Sequence, residues 1–184
     1  MWKFKTVITI SIITIISSCQ FNQSVNRDLI TGAYSRGDGL GVDEILTEIN
    51  GKIENRNTFV FGENITFLFN NIRGLSKSDN KTYPAMSMYV VKSGLDTIFA
   101  EPSLIGSLAD GTELSPLQLK AKFTTALPSQ NDEKYKIYIN IWDNKGNGKF
   151  SYELPFTIMK NELLKIENNG VEYSNIYLWN ETLK

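Results

Sequence analysis

The side chains that could carry chemistry in this chain are mainly carboxylates, because histidine is absent and cysteine occurs once, at Cys19. Without imidazole, the serine and cysteine nucleophile pairs that need a histidine base are excluded, as are the common Cys/His zinc sites. Asp43 and Glu44 are adjacent acids that close the glycine-rich segment 37–44. Neighbouring residues on a strand point to opposite faces, so this pair is poorly placed for general acid–base catalysis. Two interpretations stay open for Asp38 and Asp43, namely solvated surface or a loop that contacts a metal or ligand.

Segment 143–149 superficially resembles a calcium loop, but Lys145 occupies the third position, where a hard cation needs an oxygen ligand. Its Asn and Gly residues indicate a turn. Arg36-Gly37-Asp38 reproduces an adhesion tripeptide, which is too short to support a function by itself. We take G-x-S-x-G, S-x-x-K, G-x-G-x-x-G and Walker-type segments to be absent. We therefore predict that the protein is not an enzyme and uses no cofactor or metal.

The charge of the chain excludes one class of partner. The 184 residues carry a formal net charge of -1, and the 19 basic residues are scattered singly. Nucleic-acid binding requires a basic patch or stripe. We therefore expect no nucleic-acid partner.

The first 18 residues have the organisation of a secretory signal. Lys3 and Lys5 precede an apolar run over residues 6–16, which is followed by Ser17 and Ser18. A stable membrane-spanning helix needs about 20 apolar residues, so this run is too short to remain in the membrane as a span. We expect residues 1–18 to be removed.

The end of this segment, Ile16-Ser17-Ser18-Cys19, resembles the lipobox of bacterial envelope lipoproteins. That resemblance implies that Cys19 becomes the lipid-modified N-terminus, with thioether-linked and N-linked acyl chains such as palmitate. Several acyl chains suffice for stable membrane attachment. In Gram-negative lipoproteins an Asp after the Cys favours the inner membrane, and here Gln20 implies the outer membrane. The side of the membrane that the domain faces is left open.

The remaining chain has the periodicity of strands. Residues 19–27 are polar and aperiodic, which predicts a tether, and 28–184 are long enough for one domain. From Val42 onward the hydrophobic period is two, and we predict an all-β antiparallel sandwich. The long predicted strands cover Ile65–Phe69, Met86–Val90, Leu117–Thr125, Lys134–Asp143 and Lys149–Ile158. Shorter candidates are Val42–Ile49, Ile53–Phe61, Asp96–Ala100, Leu163–Glu167 and Val171–Trp179.

Connections between the strands are predicted from turn residues. Asn50-Gly51 is typical of a type I′ hairpin turn, in which both central residues have positive φ. Thr31–Gly41 is rich in glycine and predicts an irregular loop. A single helical turn is best accommodated at Thr112–Leu119. Pro155 lacks an N–H group and predicts an edge or a bulge in its strand.

One part of this pattern resembles a known family. Tyr135–Asp143, the turn Asn144–Gly146 and a returning strand that ends at Phe156–Ile158 are similar to the last hairpin of immunoglobulin-like and fibronectin type III-like domains. The resemblance implies an immunoglobulin-like sandwich, here with additional strands. It also implies a tyrosine corner, in which the Tyr135 hydroxyl bonds a backbone group. The fold implies no particular function.

Aromatic residues on polar strand faces are the best candidates for a binding surface. Tyr138 and Trp142 lie four residues apart, about 13 Å along a strand, and Tyr177 and Trp179 lie two apart. These side chains either are covered by the protein's own chain or form a contact surface. We therefore hold two hypotheses, a protein-interaction or accessory module of an envelope assembly and a lipoprotein that binds carbohydrate or another extracellular ligand. A continuous apolar patch or an unpaired strand edge would favour the first hypothesis, and exposed coplanar rings beside Asn or Asp would favour the second.

Overall fold

The computed structural model describes residues 23–92, 96–106, 108–125 and 133–159. Within these ranges the regular structure is entirely β, and no helix is present that could cross a membrane. The prediction of an all-β protein is thus confirmed. The thirteen strands are β1 (Gln23–Arg27), β2 (Tyr34–Asp38), β3 (Gly41–Ile49), β4 (Lys52–Ile53), β5 (Thr58–Val60), β6 (Asn64–Arg73), β7 (Lys77–Ser78), β8 (Lys81–Thr82), β9 (Pro84–Lys92), β10 (Thr97–Glu101), β11 (Leu119–Thr124), β12 (Lys134–Asp143) and β13 (Lys149–Met159).

The strands form two main sheets that share a core. Seven strands make the larger sheet, in the order β1-β2-β13-β12-β9-β10, with β5 added in parallel to the end of β13. The smaller sheet has the order β11-β6-β3-β4, and β7 pairs with β8 in a separate hairpin. All pairings except that of β5 with β13 are antiparallel among these strands.

Aromatic side chains of both sheets meet in the core. Phe67 of β6 packs against Tyr152 of β13, with ring centroids 5.6 Å apart, and Phe69 packs edge-on against Tyr152 at 5.8 Å. Both phenylalanines are fully buried. Such tilted and edge-on pairs stabilise by about 0.5–1.5 kcal/mol beyond the burial of their area. This packing is that of a β-sandwich, in which the inner faces of two sheets interdigitate.

The alternation in the sequence becomes the two faces of the larger sheet. In β12, Tyr135, Ile137, Ile139 and Ile141 are buried, whereas the intervening residues are partly or fully exposed. The alternation in β13 is equivalent. The predicted bounds of β12 are those observed, because a ten-residue run with period two has a single register that buries its apolar face.

The glycine-rich segment is not an irregular loop over its whole length, so that prediction was wrong. Residues 34–38 form β2 inside the larger sheet, and residues 23–27, which the sequence analysis assigns to the tether, form the neighbouring strand β1. Gly37 explains the composition: a Cβ at this position would collide with the Leu40 carbonyl oxygen and with Ser24 Oγ. The glycine therefore permits close packing within a strand, which composition alone does not distinguish from a flexible loop.

The turn predictions had mixed outcomes. The Asn50-Gly51 hairpin is confirmed, since both residues have positive φ (50° and 84°) and Ile49 pairs with Lys52. The predicted helical turn at 112–119 is wrong. Thr112 instead exchanges backbone hydrogen bonds with Thr82. That bridge ties Thr112 to the end of β8, and Ser115 and Pro116 then form a bend before β11.

Pro155 does not mark a sheet edge, because β13 lies between β12 and the strands β2 and β5. The Thr157 N–H donates to the Asn57 carbonyl, away from β12. Residues two apart share this direction, so the missing N–H of Pro155 falls on the same side. There it occupies the gap between the last β2 partner, at Glu153, and the first β5 partner, at Thr157.

Tyr135 is buried in the core, as the alternation of β12 predicts, but within the described residues its hydroxyl does not make the corner bond that the family resemblance implies. Within the described residues it donates to Glu133 Oε2, at 2.6 Å, and not to a backbone group. Glu133 also pairs with the Lys92 ammonium at 2.5 Å. The hydroxyl of Tyr135 therefore belongs to a small side-chain network at this end of the sandwich.

Candidate functional site

The outer face of the larger sheet carries three of the predicted surface residues, Asp38, Tyr138 and Trp142, in ordered rows. Side chains that are register partners stand next to one another across the strands. One row runs Gln23, Asp38, Lys149, Trp142 and Ala85; the next runs Val25, Arg36, Ser151, Asn140 and Ser87; the third runs Arg27, Tyr34, Glu153, Tyr138 and Tyr89. Trp142 and Asp38 thus share a row, and Tyr138 lies two rows away.

Tyr138 is committed to a contact within the sheet. Its ring stacks on that of Tyr89 in β9, with centroids 4.8 Å apart and an interplanar angle of 12°. The Lys136 ammonium lies 5.5 Å from the centroid of the Tyr138 ring. Since the tyrosine is stacked on its cross-strand neighbour, it cannot offer that face as a flat platform to a ligand.

Trp142 borders a trough on the outer face of the larger sheet. A depression of about 350 Å³ is lined by residues of β2, β12 and β13, including Arg36, Asp38, Asn140, Trp142 and Ser151. The indole N–H of Trp142 donates to Asn144 Oδ1 at 2.9 Å, which fixes the orientation of the ring. Asn140 and Ser151 contribute polar side chains to the floor, and Tyr138 and Tyr89 are not among the lining residues.

Two cations of the trough have no acidic partner within the described ranges. Neither the Arg36 guanidinium nor the Lys149 ammonium makes an ion pair there, although Asp38 is the register partner of Lys149. Lys136, by contrast, lies 3.5 Å from Glu153. The trough therefore contains two uncommitted positive groups and one carboxylate.

Asp43 and Glu44 lie on the other sheet and have structural partners. Asp43 pairs with the Arg73 guanidinium at 2.5 Å and also accepts a hydrogen bond from Asn71, while Glu44 accepts one from Asn70. Asn71 has positive φ. These contacts tie β3 to β6. They leave Asp43 outside the trough that contains Asp38.

The loop after β12 is a turn built around a buried carboxylate. Asp143 accepts hydrogen bonds from the backbone N–H of Ser76 (2.7 Å) and of Lys145 (2.9 Å). Burial opposes ionisation, but these bonds and one from Gly146 outweigh it and hold the pKa of Asp143 below its usual range. In the part of the chain that the structure describes, no group of acidic residues is arranged to hold a metal ion.

A serine–lysine spacing, Ser78-x-x-Lys81, was wrongly taken to be absent, and it falls in the β7–β8 hairpin. Ser78 and Lys81 are register partners there, and the Ser78 hydroxyl donates to Asp79 at 3.5 Å. The Lys81 amine makes no hydrogen bond to that hydroxyl within the described residues. The spacing is therefore a turn and not an activated nucleophile.

The edge of the larger sheet at β1 is the second surface of interest. All five β1 residues are exposed, and among the described strands β1 pairs only with β2. A cleft of about 380 Å³ opens beside it between the two sheets, lined among others by Ser24, Asn26, Ile45, Phe150 and Tyr152. The sandwich is thus open on this side.

Several residues of the outer face were not predicted from the sequence. Tyr89 could have been predicted to face outward, because Met86, Met88 and Val90 face inward. Tyr34 and Arg36 were not predicted to lie on this face, because the segment that forms β2 was predicted to be a loop. Cys19, Tyr177 and Trp179 lie outside the described residues, as do the predicted strands at 163–167 and 171–179.

No protein-family model matches the chain, and no curated protein matches it.

Proposed function

We propose that this protein is a non-enzymatic, outer-membrane-anchored lipoprotein that acts as a protein-interaction module of an envelope assembly. The observation that carries the proposal is the open edge of β1 beside the cleft between the sheets. Long exposed edges are usually blunted, because their unpaired backbone groups recruit other strands. Here the edge combines exposed backbone with a neighbouring cavity, the arrangement used when a partner adds a strand to a sheet.

The backbone groups available on β1 follow from its pairing. The Asp28 N–H donates to the Ala33 carbonyl at 2.8 Å, which continues the β1–β2 ladder. Residues that bond to the same neighbour alternate in an antiparallel pair, so Ser24 and Asn26 direct their N–H and C=O groups to β2. Gln23, Val25 and Arg27 then direct theirs to the open edge. A partner strand would find three donors and three acceptors there.

Side-chain recognition would come from the cleft. Ser24 and Asn26 line its mouth, while Ala33, Phe150 and Tyr152 contribute to deeper walls. Every second residue of a strand laid along β1 would point toward this cleft. Backbone bonds would supply affinity, and side chains that fit the cleft would supply specificity.

The turn that follows β1 extends the surface with apolar groups. Leu29 is 89% exposed and Ile30 is 77% exposed, yet the turn is ordered by Asp28, which accepts hydrogen bonds from the Ile30 N–H (2.8 Å) and the Thr31 hydroxyl (2.9 Å). Burial of such a side chain in a contact contributes about 1.5–3 kcal/mol. The turn is suited to a partner that covers both the edge and its end.

The lipid would place this edge close to the membrane. Cys19 precedes Gln23 by four residues, which span at most about 14 Å. Tethering raises the effective concentration of the module toward other envelope proteins. An interaction of modest affinity would then suffice for assembly.

The test uses the full-length protein, expressed in its lipidated form with an aliphatic diazirine side chain at Val25. Irradiation of cells should yield one dominant adduct with an envelope protein, identified by mass spectrometry. The N–H of residue 25 faces the open edge, so Val25→Pro removes a partner-binding donor and leaves the β2 ladder intact. In a competition assay, an untagged Val25→Thr variant should reduce formation of the adduct, and an untagged Val25→Pro variant should not.

A diazirine at Lys120 serves as the control, because Lys120 is exposed on β11 of the opposite sheet. Equal adducts from both positions, undiminished competition by Val25→Pro, or no adduct at all would contradict the proposal.

A further inference from the structure

The trough on the outer face is a separate site from the β1 edge and calls for a different ligand. We propose that it binds an acidic polysaccharide, a glycan chain whose sugars carry carboxylates. The residues of this site are not part of the strand-addition surface. The two surfaces adjoin at Val25, which is the register partner of Arg36.

The dimensions of the trough fit an extended chain of rings. Its floor consists of Asn140 and Ser151, which are register partners on β12 and β13, and continues to Arg36 on β2. Two strand spacings make this floor about 10 Å long. Trp142 and Lys149 border it on one side. This space is too long for a single sugar and suits an oligomer that lies across the strands.

The side chains of the trough have the chemistry of a glycan site. The Trp142 ring is held by its bond to Asn144 and can pack against the C–H face of a sugar. The Asn140 amide donates and accepts, and Ser151 offers a hydroxyl group. A protein partner would instead favour an apolar centre with a polar rim. The polar floor beside the Trp142 ring therefore favours carbohydrate over protein.

The charges select an acidic ligand. Arg36 and Lys149 have no ion-pair partner in the described part of the chain, and the single acid among the residues that line the trough is Asp38. Arginine binds carboxylates through two parallel hydrogen bonds, and lysine adds a point charge. Glu153 does not line the trough, and it is already paired with the Lys136 ammonium at 3.5 Å. The net positive charge of the trough therefore favours a ligand chain that carries carboxylates.

Isothermal titration of the lipidated full-length protein in detergent micelles tests this assignment. The probes are hexameric oligogalacturonate and, as a neutral counterpart, cellohexaose. We expect the acidic hexamer to bind at least about tenfold more tightly than the neutral one at low salt, and Trp142→Ala to weaken it by about tenfold or more. Lys149→Ala should weaken binding and reduce its salt dependence. Lys134→Ala, which removes an exposed cation of β12 outside the trough, should leave the binding of the acidic hexamer unchanged.

Three results would overturn the proposal: no binding of the acidic hexamer, equal binding of the two hexamers, or full retention of binding by Trp142→Ala. The Val25→Pro variant separates this site from the strand-addition surface. If only the trough is a binding site, Val25→Pro still binds oligogalacturonate, and no diazirine adduct forms in the crosslinking experiment. If β1 alone is a site, the adduct forms and the hexamer does not bind.

Discussion

Tyr89 and Tyr138 stack almost parallel across β9 and β12, with ring centroids 4.8 Å apart. This pair turns what the sequence suggests is an isolated exposed ring into a cross-strand contact. It leaves Trp142 as the aromatic residue of β12 whose ring borders an open depression. The two rings therefore have different roles, one in stabilising the sheet and one in the proposed glycan contact.

The stacking is measurable as a coupling energy. In a double-mutant cycle with Tyr89→Ala and Tyr138→Ala, urea unfolding should show that the two changes are not additive, by about 0.5–1.5 kcal/mol. The control is a cycle of Tyr89→Ala with Lys134→Ala, because Lys134 lies four residues from Tyr138 on β12. Additive effects in the first cycle would show that the rings do not stabilise each other.

Asp143 should make stability depend on acid pH. Its folded pKa lies below the usual value, so the carboxylate stabilises the native state above the unfolded pKa of about 3.9, and this contribution is lost as the pH falls through the folded pKa. Asp143→Asn should lower the free energy of unfolding at pH 7 by about 1–3 kcal/mol and flatten the profile of stability between pH 5 and 2. Parallel acid profiles of the two proteins would contradict this role.

Two glycines offer a matched test of steric constraint. Gly51 and Gly74 both have positive φ, but a Cβ at Gly51 meets open space whereas one at Gly74 would collide with the Gly39 carbonyl oxygen. Gly51→Ala should therefore cost only the conformational strain, about 1–2 kcal/mol. Gly74→Ala should cost clearly more in thermal or urea unfolding. Equal costs would show that the strand β2–β3 connection yields without penalty.

The lipid anchor is tested by removing the modified residue. Cys19→Ala should move the protein from the membrane fraction to the soluble fraction, because no other cysteine is present to carry the lipid. Wild-type protein should incorporate labelled palmitate and the variant should not. Persistent membrane attachment of the variant would remove the lipobox interpretation.

Local periodicity predicted much of the fold but little of the site. The bounds of β12 follow from an unbroken alternation, and the Asn50-Gly51 turn follows from the need for positive φ. β2 was missed because its Gly37 is required for close packing, which local composition reports as flexibility. The Tyr89–Tyr138 stack and the Trp142–Lys149–Asp38 row depend on the register between distant strands. Within one strand, no pattern encodes that register.

Amide hydrogen exchange at β1 tests the central claim most directly, because it requires no partner. If the edge is open, the N–H groups of Gln23, Val25 and Arg27 should exchange rapidly in the full-length lipidated protein. Those of Ser24 and Asn26, bonded to β2, should exchange roughly tenfold or more slowly. Protection of Val25 equal to that of Asn26 would show that the edge is already paired and would contradict strand addition at β1.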